Sequence, residues 1–583
     1  MNRIFQMLVL ASALCSAAAQ AIPEGPSYPS AAWSAREAQN FSKVLQAPLE
    51  EVGNPAFLAQ LTGQSLTNVG TLVARDTADP SWLLLSSTPL DQLLAGLQDP
   101  ASLSATLQQV LGEVLEDPEH ALSLSLDTPV TPVCATYALV CAGDPFRYPG
   151  VNGPDGDDFY NNEAVVTPVV FYDSGCARLS AQVWQPRGVA AGTTLPGVVI
   201  DNGSVEAPQT AYWWAAQALV REGYVVLSFD PRGQGRSDQE TPSGGQGTNI
   251  NPSVFWTGLV DAIDFFRSTP VTPYPNNAAC SYAYPTKVAP YNPAYAAVDP
   301  DRLGIAGHSL GAIGVSVVQG YGAPGADPWP GKLDQTNPVK VAVAWDGLLK
   351  PGGGLIGGAA QGGGIGNILY QLGLLEPLFR LIIERGLPNF GARVPSMGQS
   401  SEYGLLVSPY VNPPDPEQHK SEGFDAWVAA GVPSYEFTIQ GSTHTEWSPF
   451  PPFPTTSWCP DPSSGACTGG WGQPMAQYYT LAWFDRWLKL PGETGYDDAD
   501  ARLVDDTGAQ GAAKMSFYSR SARSFPDRGG IQHVCGDIRA GCTDTSVASG
   551  NASGTSPGGG AYSPWLLAGL AGLAWRRRHR ARR

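Results

Sequence analysis

The chain is predicted to be an α/β protein with a mostly parallel sheet flanked by helices. Two observations carry this prediction. From Val165 onward, short apolar runs alternate with stretches of helical periodicity, the pattern of parallel strands joined by crossover helices. The runs at 197–201 and 302–306 are short and apolar, as suits strands buried on both faces. At 583 residues the chain is too long for one small core, so two or more structural units are expected.

The elements follow in order. Residues 1–21 hold one cation, Arg3, then an apolar run, then Ala19-Gln20-Ala21, the grammar of a cleaved secretory signal peptide; the run is short for a transmembrane anchor. Residues 22–149 show helical spacing at 90–97 and 103–111 and no evident chemistry, so a helical, linker-like region is expected. The α/β domain is assigned to 150–495. It opens with paired strands at 165–172 and 181–184. A strand at 197–201, a helix around 213–222, a strand at 224–229 and a helix over 258–267 follow. After the strand at 302–306 and a helix from 312 come strands at 339–345 and 434–439 and a closing helix at 475–488.

Residues 350–394 interrupt this order. They are glycine-rich at 352–366 and apolar with helical spacing at 368–387. That density suits a lid over a site, and an ordinary core helix equally. Residues 496–550 form a C-terminal extension. The run Asp497-Asp498-Ala499-Asp500 reads as solvated acid rather than a calcium site. The tail, 551–583, runs from a polar stretch through Gly558-Gly559-Gly560 and an apolar segment to an arginine cluster at 576–583. It is marginal as a membrane-spanning helix, with the arginines holding its end at the cytoplasmic face. The tail resembles the glycine-glycine C-terminal sorting signals of Gram-negative bacteria. That resemblance implies a membrane protease of the rhomboid type that reads and cuts it during delivery to the cell surface.

A formal charge of −18 argues against nucleic acid as a partner, because no basic surface remains to neutralise phosphates. Of nine cysteines, Cys15 belongs to the signal. The even number left in an exported chain reads as disulfides. Near neighbours suggest Cys134–Cys141, Cys459–Cys467 and Cys535–Cys542, which leaves Cys176–Cys280; spacing alone does not fix connectivity. No Cys-x-x-Cys spacing points to a metal.

The chemistry centres on Gly307-His308-Ser309-Leu310-Gly311, between an apolar run and a helix-forming segment. A serine on such a strand-to-helix turn is exposed and strained, and the glycines let strand and helix pass closely. Ser309 is the candidate nucleophile. The Leu310 N–H would point at an oxygen bound beside it. Of the six histidines, His444 alone lies in the loop after the late strand, where a base would reach Ser309. The ring of His308 should point away from the serine. For the acid that orients the base, Asp346 directly follows a strand, and Glu402 would follow the next one. Residues 397–401 are poorly apolar for a buried strand, which favours Asp346 slightly.

Asp230-Pro231-Arg232-Gly233-Gln234-Gly235-Arg236-Ser237 and 299–311 together resemble the α/β-hydrolase family, over about 165–489. The resemblance implies an α/β-hydrolase fold and serine-dependent hydrolysis of esters, less often amides, with no cofactor and no metal. Asn202-Gly203-Ser204 fills the place where the family usually has His-Gly-x. Asn202 departs from that pattern, and the Ser204 N–H is the expected second oxyanion donor. Asp230 and Arg232 are expected to shape a wall of the site rather than to react. An exported serine esterase of lipase type is the leading expectation. Its substrate would be an ester, with lipid or polyester suggested by the apolar stretch at 368–387. A peptidase on the same fold and a non-catalytic surface binding protein are the alternatives.

Overall fold

The computed structural model describes residues 163–203, 209–234, 237–238, 241–245, 247, 251–281, 288–352, 387–402, 404, 415–442, 444–448, 471–516 and 518–542. The signal peptide, the helical region at 22–149, most of the 350–394 insertion and the sorting tail lie outside these residues. So do the expected bridges Cys134–Cys141 and Cys459–Cys467.

The described residues build a mixed sheet with helices on both faces. Its strands are β1 (Ala164–Tyr172), β2 (Arg178–Pro186), β3 (Leu195–Asp201), β4 (Val225–Phe229), β5 (Val298–His308), β6 (Val339–Trp345), β7 (Ser396–Ser401), β8 (Ser434–Ile439), β9 (Ala522–Pro526) and β10 (Gln532–Cys535). Their spatial order is β1-β2-β4-β3-β5-β6-β7-β8-β9-β10. The centre, from β4 to β8, is parallel. Antiparallel pairs close both edges, β1–β2–β4 on one side and β8–β9–β10 on the other. The segment expected as a C-terminal extension thus adds two strands to the sheet.

Four helices matter for the site: α1 (Trp213–Arg221), α2 (Ser253–Arg267), α3 (Leu310–Gly320) and α4 (Gly472–Leu488). Because side chains alternate along a strand, β3 sends Val198 and Ile200 into one core and Val199 into the other. The first core packs β3 against Trp213, Leu219, Trp483 and Phe484 of α1 and α4. The second packs it against Leu259, Ile263, Val315 and Val318 of α2 and α3. This two-sided burial explains why the central strands read as apolar runs.

β7 departs from the expectation. The stretch judged too polar for a buried strand is one, and all six of its residues are buried. Its polar side chains find partners. Ser400 donates to Glu436 at 2.6 Å, Ser396 to the Val394 carbonyl at 3.0 Å, and the Gln399 amide to Thr480 at 3.0 Å. Satisfied polar groups lose most of their burial penalty, so apolarity is not a condition for a central strand.

Two of the expected disulfides are formed, Cys176–Cys280 and Cys535–Cys542, the covalent mark of an oxidising compartment. Among the described residues no helix is long and apolar enough to cross a membrane.

Candidate active site

Ser309, Asp346 and Glu402 directly follow β5, β6 and β7, and His444 lies in the loop just past β8. In a parallel sheet these loops gather at the carboxyl ends of the strands, where ligand sites of such sheets form.

Ser309 sits between β5 and α3 with φ 58° and ψ −120°, a conformation rare for a residue with a side chain. Its neighbours leave no alternative to glycine. A Cβ on Gly311 would come within 2.2 Å of the Asn202 carbonyl oxygen, and one on Gly307 within 2.6 Å of the Gly311 carbonyl oxygen. The strand and the helix therefore cross in near backbone contact, with the serine at the apex.

His444 reaches this apex. Its Nε2 lies 2.8 Å from Ser309 Oγ, and its Nδ1 lies 2.5 Å from Asp346 Oδ2. A carboxylate accepts, so Nδ1 carries the proton and Nε2 is the acceptor that faces the serine hydroxyl. Burial would raise the pKa of Asp346, but the hydrogen bond and electrostatic attraction from the His444 ring, with the Ser401 N–H, outweigh burial and hold it down at about 2. Asp346 also has a positive φ, 58°, rare for a residue with a side chain. Ser401 N–H and hydroxyl hold the Asp346 carboxylate at 2.7 and 2.8 Å.

Glu402 is placed elsewhere. Its carboxylate accepts from the Gly441 N–H at 2.7 Å and from the Ser516 hydroxyl, which ties the ends of β7 and β8 to the C-terminal segment. Its side chain is engaged there, and the structure brings Asp346, not Glu402, to His444.

The ring of His308 hydrogen-bonds Tyr212 Oη at 2.8 Å and the His444 carbonyl oxygen at 2.8 Å. Burial is the main cause that lowers its pKa, to about 3, so the ring is neutral. His308, Asp346 and His444 bring donor atoms within 4.8 Å of one another, the spacing of a metal site. Those atoms are already spent: Asp346 on His444 and Ser401, and both His308 nitrogens on Tyr212 and the His444 carbonyl. A cation would have to break these bonds.

Leu310 opens α3, so its N–H is one of the unpaired donors of a helix N-terminus. Ser204, the other expected oxyanion donor, lies outside the described residues. Asn202 turns its amide to Asp230 at 2.7 Å, and Gly203 donates its N–H to Tyr212 Oη at 2.9 Å. Asp230 also accepts from the Gln209 N–H at 2.6 Å, while Arg232 pairs with Asp173 at 2.7 Å. Both residues brace loops beside the site and do not touch Ser309.

Sequence reasoning missed Ser401 and Tyr212. Ser401 is one of several polar residues in the run Gln399-Ser400-Ser401-Glu402, and Tyr212 precedes a tryptophan-rich helix start. Neither position carries a pattern that separates it from its neighbours.

No protein-family model matches the chain, and no curated protein matches it. Among solved structures, it is similar to an acylaminoacyl peptidase from Pyrococcus horikoshii, at 13% identity and a TM-score of 0.35. The similarity covers 60% of this chain and 46% of that one, so the chain spans about half the length of this solved relative.

Proposed function

We propose that this chain is a serine hydrolase of the α/β-hydrolase type that cleaves carboxylic esters outside the cytoplasm. One observation carries the reading: a hydrogen-bonded line from Ser309 Oγ through His444 to Asp346, mounted on a strained strand-to-helix turn. Ser309 Oγ attacks the ester carbonyl while His444 Nε2 takes its proton. The Leu310 N–H stabilises the oxyanion, with a second donor from the loop after β3. His444 then returns the proton to the leaving alcohol, which departs as the acyl-enzyme forms. Water, deprotonated by His444, releases the acid and restores Ser309. Asp346 keeps the imidazole in the Nδ1–H tautomer and stabilises its charged form. No cofactor enters this scheme. The disulfides and the signal-like N-terminus support export, and the glycine-arginine tail supports delivery to the surface through a sorting protease.

The test is labelling of the purified protein with a fluorophosphonate probe beside Ser309→Ala. Labelling that depends on Ser309, with turnover of short aryl esters, is expected. Turnover of peptide amides without ester turnover would favour a peptidase, and no Ser309-dependent labelling would remove the hydrolase reading.

A further inference from the structure

A second line of hydrogen bonds runs behind the first. Gly203 N–H lies 2.9 Å from Tyr212 Oη, Tyr212 Oη lies 2.8 Å from His308 Nδ1, and His308 Nε2 lies 2.8 Å from the carbonyl oxygen of His444. The chemistry of its ends fixes every proton. The His444 carbonyl only accepts, so His308 carries its hydrogen on Nε2. His308 Nδ1 is then an acceptor, so the Tyr212 hydroxyl must donate to it. The Gly203 N–H only donates, so it uses a lone pair of the Tyr212 oxygen; the Ser448 side chain also reaches this hydroxyl. Direction therefore runs one way, from the loop after β3 to the backbone of His444. The neutrality of the buried His308 ring agrees with this assignment.

The line joins two parts that the proposed reaction needs in register. One end holds the peptide unit of His444, whose ring must span Ser309 and Asp346. The other end holds Gly203, next to the position expected to give an oxyanion donor. Packing reinforces it: the His308 ring lies 4.6 Å from the His444 ring and 6.0 Å from Trp447, and Gly203 has no room for a side chain against Tyr212 Oη and His308 Nδ1. Tyr212 stacks on the fully buried Trp345, with ring centroids 6.3 Å apart, and lies tilted against the His308 ring at 5.6 Å.

We infer that Tyr212 and His308 are positioning residues that set the base and the oxyanion loop in register with Ser309. The inference rests on the hydrolase reading above. Neither residue touches the reacting atoms: His308 bonds the backbone of His444, and Tyr212 bonds His308 and Gly203. His308, inside the Gly-x-Ser-x-Gly turn, thus has a role of its own: its tautomer orients the backbone of the base.

The experiment measures fluorophosphonate labelling kinetics of the wild type, Tyr212→Phe, His308→Leu and His308→Gln. Histidine 15N spectra of the wild type give the tautomer of His308. The maximal labelling rate should fall about 10- to 100-fold in Tyr212→Phe and His308→Leu, the cost of a misplaced base, with the half-saturating probe concentration unchanged. His308→Gln keeps one donor and one acceptor on neighbouring atoms and should recover most of the rate. The wild-type spectra should show His308 as the Nε2–H tautomer. Wild-type labelling combined with undiminished rates in both disabling variants would overturn the positioning roles and leave the hydrolase reading standing. So would an Nδ1–H tautomer, which is read on the wild type and needs no variant to fold. Absence of Ser309-dependent labelling in the wild type would overturn both.

Discussion

Ser401 donates twice to Asp346, from its N–H to Oδ1 at 2.7 Å and from its hydroxyl to Oδ2 at 2.8 Å. The second oxygen is also the one that faces His444. The acid is thus held from the end of β7, one strand away from its own. Ser401→Ala keeps the N–H bond and loses the hydroxyl bond to a charged group. A stability loss of about 2 kcal/mol is expected, together with about tenfold slower labelling of Ser309, because the oxygen that faces His444 loses its second donor and is held less firmly. Denaturant titration and probe kinetics on the same sample check both.

Asp346 and Glu402 should separate cleanly on substitution. Asp346→Asn removes the charge that fixes the His444 tautomer, and turnover should fall by about 10⁴. Glu402→Gln weakens the clasp to Gly441 and Ser516 and should lower stability by about 1–3 kcal/mol while turnover survives. Equal loss of turnover in both variants at matched folded fractions would contradict the assignment of Asp346 as the acid.

The close approach of α3 to the end of β3 makes a steric prediction. Gly311→Ala places a methyl group 2.2 Å from a backbone oxygen that cannot move without shifting β3. A destabilisation of about 1–3 kcal/mol is expected, with loss of Ser309 labelling. Gly536→Ala, where nothing lies within 4 Å, is the control and should be neutral. Thermal melts of the two variants decide this.

Buried titratable groups set a stability window. His308 has its pKa lowered to about 3 by burial, so below pH 6.5 the unfolded chain binds the extra proton and stability falls as pH drops toward 3. Asp346, held at about 2, adds to this loss as pH falls from about 4 toward 2. Glu436 behaves oppositely. Burial outweighs its bond from Ser400 and raises its pKa to about 8, so stability declines as pH rises from 4.5 to 8. For these groups a plateau is expected between about pH 4.5 and 6.5. Glu436→Gln, which mimics the protonated acid and still accepts from Ser400, should lessen the decline above pH 6.5. Melting temperatures from pH 3 to 9 test it; an unchanged alkaline limb in the variant would exclude Glu436 as its source.

Local pattern and tertiary contact contributed different things. The alternation of apolar runs and helical segments was enough to place β3, β4, β5, β6 and β8, because two-sided burial imprints itself on each strand's composition. The turn at 307–311 was also legible, since only glycine tolerates the close crossing around Ser309. β7 was misjudged, because its serines and Gln399 are satisfied by Glu436, Val394 and Thr480, from other parts of the chain or the adjoining loop. β9 and β10 were not foreseen, because strands of four or five residues carry too little periodicity to stand out.

By itself, the sequence determined which residue types stand on which kind of element: a serine at a glycine-flanked turn, a histidine past a late strand, and two carboxylates after strands. Only the tertiary structure shows which of those carboxylates lies beside the histidine. Asp346 Oδ2 lies 2.5 Å from His444 Nδ1, while Glu402 accepts from Ser516, 114 positions along the chain. The supporting parts, Ser401 and Tyr212, exist only in three dimensions. Each acts through a hydrogen bond of about 3 Å between residues 55 or more positions apart, and no local rule of spacing records such a bond.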